Sequence, residues 1–398
     1  MSPDIIGAII FVVTYTGIAL GSVPGLAIDR TGIALLGAIA MLTTGTLSEN
    51  ETVKAINAPT ILLLYSLMVL SAQFTLGGFY TRVALGIVKF VTRPEIFLLA
   101  LISSSALLSA VVANDIVCLA FTPVICVATV RASLNSIPFV LALACASNIG
   151  SAATIMGNPQ NMLIGQVGGL EFGRFVLWCL PPTLVSLFAL YFIMLLMYRG
   201  KWRDESLVLS KNAEEWPEYD AYQSTKALML TAVLILLFFT NIPREFSALT
   251  IAGVILCSRK MTTRSILVLV DWHLITLFCA LFIVVEGVSK YGIPQSAVLL
   301  LKTLGYDIND PLVLSSVTVV LSNLVSNVPA VMLLLKNIDV GQTTNLYLLA
   351  LVSSYAGNLF IIGSIANLIT IEQAKIYNIP VSVWSHAVGF QIEWTDFF

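Results

Sequence analysis

The stretch ASNIGSAATIMGNPQNMLIG, residues 146–165, is polar in a chain that is otherwise apolar. It holds three Asn residues, one Gln and one Pro within a length that could otherwise cross a bilayer. Gly157 can leave helical geometry without a Cβ penalty, Asn158 is a strong N-cap residue, and Pro159 suits the first position of a helix. The stretch therefore predicts a helix that breaks near residue 157 and restarts as a half-helix.

The composition explains why such a break is unusual. The 398 residues are 58% hydrophobic and 11% charged, with a mean hydropathy of +0.94. Soluble domains carry about 25% charged residues, so this chain cannot cover a water-facing surface. Apolar runs of bilayer-crossing length recur along it. We predict an all-α polytopic membrane protein, and the net charge of −2 gives no indication of nucleic-acid binding.

Several other classes are disfavoured by the residues present. The six cysteines stand singly in apolar segments, and His273 and His386 lie far apart, so no zinc site or CxxC pair is expected. No Walker motif and no nucleophile–base constellation is evident. We therefore predict no enzyme, no cofactor, and no metal beyond a transported sodium ion. A passive channel is the remaining alternative from another class.

Hydropathy divides the chain into spans separated by short loops. The predicted spans are 4–27, 31–46, 57–79, 138–170, 173–198, 226–242, 246–258, 271–289 and 345–372, with two apolar pairs at 95–130 and 311–336. The segments 80–93 and 291–310 are amphipathic and are expected at the interface. Residues 199–225 form the one long polar linker.

Each apolar pair could be one re-entrant hairpin or two full spans, and charge favours the hairpin. With two hairpins, the N-terminus is outside, the 199–225 linker is cytoplasmic, and 14 Lys and Arg lie inside against six outside. This distribution follows the positive-inside rule. Two full spans per pair stay open as the alternative. The expected location is the cell membrane.

The two halves of the chain repeat the same order of features. LLSAVVANDIVCLAFTPVI (107–125) matches VLSNLVSNVPAVMLLLKNI (320–338), which pairs Ser109 with Ser322 and Asn114 with Asn327. In the same way Gly157-x-x-x-Asn161 matches Gly363-x-x-x-Asn367. We predict a first repeat over 1–198, with its hairpin at 95–130 and broken helix at 138–170. The second repeat covers 226–398, with its hairpin at 311–336 and broken helix at 345–372.

Each half crosses the membrane an odd number of times, so the two repeats face opposite ways. This inverted arrangement is typical of secondary transporters, which bind their substrate at the midplane between the repeats. A half-helix presents its positive end to an anion, and freed carbonyl and amide oxygens suit a small cation. The predicted substrate-binding residues are Asn114, Asn158, Gln160, Asn161, Asn327, Ser364 and Asn367.

Asp115 is the single residue that most strongly indicates a function, because placing a carboxylate inside a membrane segment costs free energy. It would act as a proton relay or as a cation ligand. The alternative is that it caps the second arm of the first hairpin, as Asp does well.

The motifs ANDIVCLAFTPVI, SNIGSAATIMGNPQN and GSIANLI resemble those of the ion transporter superfamily. That group includes divalent anion/sodium symporters, citrate transporters, arsenite permeases and one class of sodium/proton antiporters. The resemblance implies a scaffold domain, a mobile transport domain that holds both hairpins, elevator-type alternating access and a homodimer. The coupling-ion sites that it implies lie near Ser147, Asn148 and Gly150 with the first hairpin, and near Ser353, Gly357 and Asn358 with the second.

Two features depart from the pattern of this superfamily. The Ser-Asn-Thr hairpin signature of the symporters is not clear, and Asn114-Asp115 is closer to the arsenite permeases and antiporters. The last residues also lack a full apolar span. We therefore expect a secondary transporter of a small anion such as a di- or tricarboxylate or an oxyanion, coupled to sodium or protons. An arsenite efflux permease or a sodium/proton antiporter is the alternative.

Overall fold

Helices make up the regular structure of the protein in a computed structural model that describes residues 3–21, 25–203, 216–360 and 363–379. The predicted all-α class is confirmed over these residues. Residues 204–215 of the predicted linker lie outside them. So does the C-terminal stretch 380–398, on which the prediction of a missing final span depends.

The first half of the chain contains ten helices among its described residues. They are α1 (Pro3–Leu20), α2 (Arg30–Thr43), α3 (Glu49–Ala55), α4 (Ala58–Leu76), α5 (Phe79–Val88), α6 (Pro94–Val111), α7 (Asn114–Arg131), α8 (Ile137–Ser151), α9 (Pro159–Val167) and α10 (Phe172–Met197). The predicted interfacial segment 80–93 corresponds to α5. The short helix α3 was not predicted, and it is held by a capping box between Ser48 and Glu51.

The second half repeats the order of the long elements. Its described helices are α11 (Ala221–Phe238), α12 (Arg244–Leu256), α13 (Thr263–Leu267), α14 (Trp272–Ser289), α15 (Ile293–Thr303), α16 (Pro311–Val325), α17 (Asn327–Leu335), α18 (Thr343–Ala356) and α19 (Ile365–Ile376). Six described helices are long and apolar enough to cross a membrane, namely α4, α6, α7, α10, α11 and α14. The protein is therefore built to span a bilayer.

Both predicted apolar pairs consist of two helices joined by a short turn. The second consists of α16 with 15 residues and α17 with nine. At 1.5 Å per residue neither arm can cross a core of about 30 Å. A residue with positive φ, Ser326 at +76°, makes the tip between them. This geometry fits a re-entrant hairpin. The arms of the first pair, α6 and α7, have 18 residues each and are both long enough to cross a membrane, so their length fits two full spans as well as a hairpin.

Both predicted helix breaks are also present. In the first repeat α8 ends at Ser151 and α9 begins at Pro159, and in the second repeat α18 ends at Ala356 and α19 begins at Ile365. Each half-helix therefore starts in its repeat where the sequence predicts it. This order of hairpin followed by broken helix fits two inverted repeats.

The helices group into two compact units that do not coincide with the two repeats. The first-hairpin unit contains Leu70–Asn158, Phe172–Leu236 and the described residues from Gly357 onward. In it α19, from the second repeat, packs on α7 and α8. The second-hairpin unit contains the described residues up to Val69, together with Pro159–Glu171 and Leu237–Ala356. In it α9, from the first repeat, packs on α17 and α18. The two repeats thus exchange their half-helices.

Two glycines allow close packing in the first-hairpin unit. A Cβ on Gly150 would overlap the main chain of Ala106, because α8 lies directly against α6. A Cβ on Gly157 would overlap the carbonyl oxygens of Ser151 and Ser109. The break therefore needs Gly157 because the chain has no room for a side chain there.

Candidate functional site

Asn148, near the end of α8, is the centre of a hydrogen-bond network in the first-hairpin unit. Its Oδ1 accepts from Asn114 Nδ2 at 3.1 Å and from Ser364 Oγ at 2.9 Å. Its Nδ2 donates to Asn358 Oδ1 at 2.9 Å and to Asn367 Oδ1 at 3.0 Å. The structure thus brings together five residues that the sequence analysis selected from both repeats.

Asn367, on the first turn of α19, extends this network to the main chain. Its Nδ2 donates to the carbonyl oxygen of Gly357 at 2.6 Å and to that of Phe360 at 3.4 Å. These carbonyls follow the end of α18 and have left its helical ladder. Asn367 therefore holds the non-helical segment that leads to α19.

The tip of the first hairpin is fixed to α8 by two serines. Ser147 Oγ donates to the carbonyl oxygen of Asn114 at 3.0 Å and lies 2.8 Å from Ser109 Oγ. Because the Ser147 proton is directed to Asn114, Ser109 is the donor of the second bond. Ser109, Ser147 and Asn148 are each at most 2% exposed. Asp115 follows Asn114 in the first turn of α7 and is half-buried.

The break in the first repeat carries its own hydrogen bonds. Asn158 Nδ2 donates to Ser151 Oγ at 2.8 Å, and Ser151 Oγ donates to the carbonyl oxygen of Asn148 at 2.8 Å. Asn158 is 1% exposed. These bonds link the chain just before Pro159 to the last turn of α8.

The second-hairpin unit holds the remaining predicted residues. Gln160 Nε2 on α9 lies 3.5 Å from Ser354 Oγ on α18. Ser354 Oγ in turn donates to the carbonyl oxygen of Ala350 at 2.8 Å, and Ser353 Oγ donates to the same carbonyl at 3.3 Å. Asn161 is fully buried. Asn327 begins α17 at the tip of this hairpin.

Oxygen atoms at the tip of the second hairpin lack hydrogen-bond partners among the described residues. They are Ser322 Oγ in the last turns of α16 and Asn327 Oδ1 at the start of α17, with Asn323 Oδ1 beside them. Ser322 is fully buried and Asn327 is 6% exposed. Burying a polar oxygen without a partner costs about 1–3 kcal/mol, and such a group in a native structure needs an explanation. An amide oxygen only accepts hydrogen bonds, so the group that it lacks is a donor or a cation.

Three of the helices that start at these tips and breaks, α7, α17 and α19, begin without a side-chain cap. The N-cap residues Ala113 of α7, Ser326 of α17 and Ser364 of α19 make no capping hydrogen bond. By contrast, Asp310 caps α16 at the outer end of the second hairpin. The first-turn N–H groups of α7, α17 and α19 are therefore not occupied by the side chain of the N-cap residue.

Sequence reasoning missed one polar cluster in the second-hairpin unit. Arg244, at the start of α12, donates to the carbonyl oxygens of Leu170 at 2.6 Å and Gly165 at 2.7 Å. Gln166 Nε2 donates to the neighbouring Glu245 at 3.1 Å. A cation that binds the last carbonyls of a helix also opposes the negative end of its dipole. Arg244 and Glu245 therefore hold the end of α9 in place. The sequence feature that could have predicted this cluster is an Arg-Glu pair at the start of an apolar span.

Comparisons with known proteins agree with this architecture. A family model described as "Citrate transporter" matches residues 9–356. The silicon efflux transporter LSI3 of Oryza sativa subsp. japonica is 26% identical over 96% of this chain and 94% of its own length. The putative transporter arsB of Dictyostelium discoideum is 25% identical over 96% of this chain and 86% of its own length. A 46 kDa membrane protein of Mycobacterium leprae is 26% identical over 96% of this chain and 93% of its own length.

Proposed function

The chain belongs to the citrate transporter family, and from that premise we propose that it is a sodium-coupled secondary transporter of a small anion. It is a membrane transporter and not an enzyme, as its sequence predicts, and the resemblance to the ion transporter superfamily is confirmed. The coupling ion, the substrate and the mode of transport are proposals.

The unpartnered oxygens of the second hairpin are the reason for proposing sodium as the coupling ion. Ser322 Oγ and Asn327 Oδ1 are buried at one tip and have no hydrogen-bond partner among the described residues. Asn327 Oδ1 can only accept hydrogen bonds, so an anion beside it would leave it unsatisfied. A sodium ion would satisfy both oxygens, and unwound segments of transporter helices commonly bind such ions. Ser353 lies on α18 in the same unit and is a further candidate ligand.

The start of α19 supports the anionic substrate. Its first-turn N–H groups carry the positive end of the helix dipole, and the Ser364 side chain does not cap them. Asn358 lies next to this end in the first-hairpin unit, whereas Asn367 directs its donor hydrogens to the carbonyl oxygens of Gly357 and Phe360. Small carboxylates and oxyanions have the charge and the acceptor oxygens that such a place suits.

The wider mechanism that accompanies this proposal follows the resemblance. Elevator-type alternating access, a homodimer in the cell membrane, an external N-terminus and a cytoplasmic linker are the arrangement that we propose. Inverted repeats with broken helices support alternating access over a passive channel, because such repeats build one site that opens to either side.

A second candidate is proton-driven efflux or sodium/proton antiport. The specific observation in its favour is Asp115, a half-buried carboxylate in the first turn of α7. Two relatives have names that refer to silicon efflux or to arsB. In this reading Asp115 carries the coupling proton.

Uptake into proteoliposomes separates the two candidates. Purified protein is reconstituted and given phosphate, sulfate, arsenate, succinate or citrate, with sodium and proton gradients imposed separately. Sodium-coupled symport predicts saturable accumulation of at least one anion that requires the sodium gradient. Accumulation that follows only the proton gradient, or flux that does not saturate, contradicts the proposal.

A serine pair on α16 supplies the matched variants. Ser322→Ala removes an unpartnered buried oxygen, whereas Ser316→Ala removes an exposed hydroxyl that bonds only to Leu312 within the same helix. We expect Ser322→Ala alone to raise the sodium concentration needed for half-maximal uptake. Equal sodium dependence in the two variants would remove the second hairpin from the ion site.

A further inference from the structure

The side chain of Asn148 has no hydrogen-bonding capacity left for a ligand. A carboxamide offers two donor hydrogens and an oxygen with two lone pairs. All four are used by Asn114, Ser364, Asn358 and Asn367, at 2.9 to 3.1 Å. A sodium ion or an anion could therefore bind Asn148 only by displacing one of these partners.

We propose that Asn148 is a positioning residue that joins the tip of the first hairpin to the break of the second repeat, and that its side chain does not contact the transported species. The partners come from three elements: Asn114 from α7, Asn358 from the segment after α18, and Ser364 and Asn367 from the start of α19. This inference rests on the proposed function for its transport consequences, but its structural part stands independently of any substrate.

The bond to Ser364 gives Asn148 a specific effect on α19. Ser364 has φ −142° and ψ 139°, the extended conformation of an N-cap residue. Serine is among the preferred N-cap residues, yet its hydroxyl donates to Asn148 and makes no cap. Asn148 therefore holds Ser364 away from the N–H groups of α19 and leaves them open.

Removal of Asn148 would have two consequences. Asn358 and Ser364 would lose their hydrogen bonds to α8, although Asn367 would still bond to the carbonyls of Gly357 and Phe360. The Ser364 hydroxyl would be free to cap α19, and a capped end binds an anion less well because its donors are occupied. Asn148→Ala should thus raise the KM for the anion by about tenfold, the effect of losing a buried hydrogen bond at a site.

The structural part is tested without any ligand by hydrogen–deuterium exchange of the peptide covering residues 357–368. We expect faster exchange of the amides from Gly357 to Phe360 in Asn148→Ala than in wild type, and an intermediate rate in the milder Asn358→Ala. Thr122→Ala is the control, because Thr122 is equally buried but its hydroxyl bonds only to Cys118 within α7. Exchange in Asn148→Ala equal to that in Thr122→Ala would overturn the positioning role.

The transport part is tested by a double-variant comparison with whichever of the five anions above the wild type accumulates. If Ser364 caps α19 in Asn148→Ala, adding Ser364→Ala removes the cap, and the double variant has a KM at or below that of Asn148→Ala. If Asn148 binds the anion directly, the two effects multiply, and the inference is wrong. A wild type that accumulates none of these anions contradicts the proposed function, while the exchange experiment still decides the role of Asn148.

Discussion

The two hairpin tips carry the same Ser-x-x-x-x-Asn motif but differ in how their polar atoms are satisfied. At the first tip, Ser109 and the Nδ2 of Asn114 are bonded to Ser147 and Asn148. At the second tip, Ser322 Oγ and Asn327 Oδ1 have no partner among the described residues. The same sequence motif can therefore hold helices together by hydrogen bonds in one copy and present oxygen atoms to a ligand in the other.

The residues at the end of the helix that precedes each break also differ between the repeats. Asn148 lies nine residues before Gly157, and the residue nine before Gly363 is Ser354. Asn148 reaches four side chains, whereas Ser354 has one hydroxyl proton, which it donates to Ala350 in its own helix. The two broken helices therefore offer different side chains to the elements that pack on them.

The largest expected effect comes from breaking the packing at the first tip. In Gly157→Ala the added methyl group overlaps the carbonyl oxygens of Ser151 and Ser109. Overpacking of this kind costs about 1–3 kcal/mol or more. We expect little monodisperse protein after detergent extraction, and a lowered unfolding temperature for what remains.

The matched control for this prediction is Gly253→Ala in α12. A Cβ there meets nothing within 4 Å, and alanine in a helix interior is favoured over glycine by about 1 kcal/mol. Its unfolding temperature should equal or exceed that of wild type. If both variants behave alike, the first tip is less tightly packed than described.

The next prediction sets the two tip asparagines against each other. Asn114→Ala leaves Asn148 Oδ1 with one bond fewer, so it should lower thermal stability with or without sodium. Asn327→Ala removes an oxygen that lacks a protein partner, so sodium-free stability should hardly change. Its sodium requirement for uptake should instead rise by about tenfold. Scanning fluorimetry with and without sodium, combined with uptake, checks both. If both variants change thermal stability and the sodium requirement in the same way, the two tips do not have different roles.

Asp115→Asn tests an asymmetry in charge, because the residue after Asn327 is the apolar Val328. If Asp115 carries a coupling proton, the variant should retain anion exchange and lose accumulation driven by a gradient. If the carboxylate helps to hold sodium, uptake should need far more sodium. The structure makes Ala113, and not Asp115, the N-cap residue of α7. If Asp115 only interacts with the positive end of this helix from its first turn, transport should be unchanged. Exchange, uptake and sodium dependence measured on one variant separate the three.

The smallest effect is expected at Glu51, which belongs to neither tip. Its carboxylate bonds to Lys290 at 2.8 Å and to Ser48, which lowers the pKa of Glu51 from 4.5 to about 2. Because the pKa is lowered in the folded protein, this contribution to stability is present above about pH 4.5 and is lost as the pH falls toward 2. Glu51→Gln keeps the capping geometry, so we expect a slightly lower unfolding temperature at neutral pH and no difference near pH 2. A large loss of uptake would contradict a peripheral role.

Much of the fold was predictable because hydropathy and helix-terminating residues act locally. α9 begins at Pro159, as expected for a proline that follows a capping residue. Asp310 caps α16, which begins at Pro311. The hairpin tips at Asn114 and Asn327 also follow from their local sequence. These features depend on a few neighbouring residues and on the apolar solvent that surrounds them.

The sequence predicted which residues form the candidate site, but it did not predict which of them hydrogen-bond to one another. Sequence reasoning selected Asn148 as a coupling-ion residue by resemblance, whereas its geometry directs all four hydrogen-bonding positions to other side chains. That outcome depends on α19, whose Asn367 is 219 residues away along the chain. The exchange of half-helices between the two units is equally non-local, so neither local pattern nor repeat matching could reveal it.

This exchange of half-helices has a consequence for biogenesis. The amide of Asn148 enters the membrane long before Asn367 exists, because 219 residues separate them. At about 5–20 residues per second, the ribosome needs roughly 10 to 45 s to supply that partner. During this interval the nascent first hairpin and α8 carry exposed polar groups in the translocon or the bilayer, which makes them clients for insertion chaperones. Neither repeat, released alone, could complete its own unit, so quality control can recognise a truncated chain by the polar amides that it leaves unmatched.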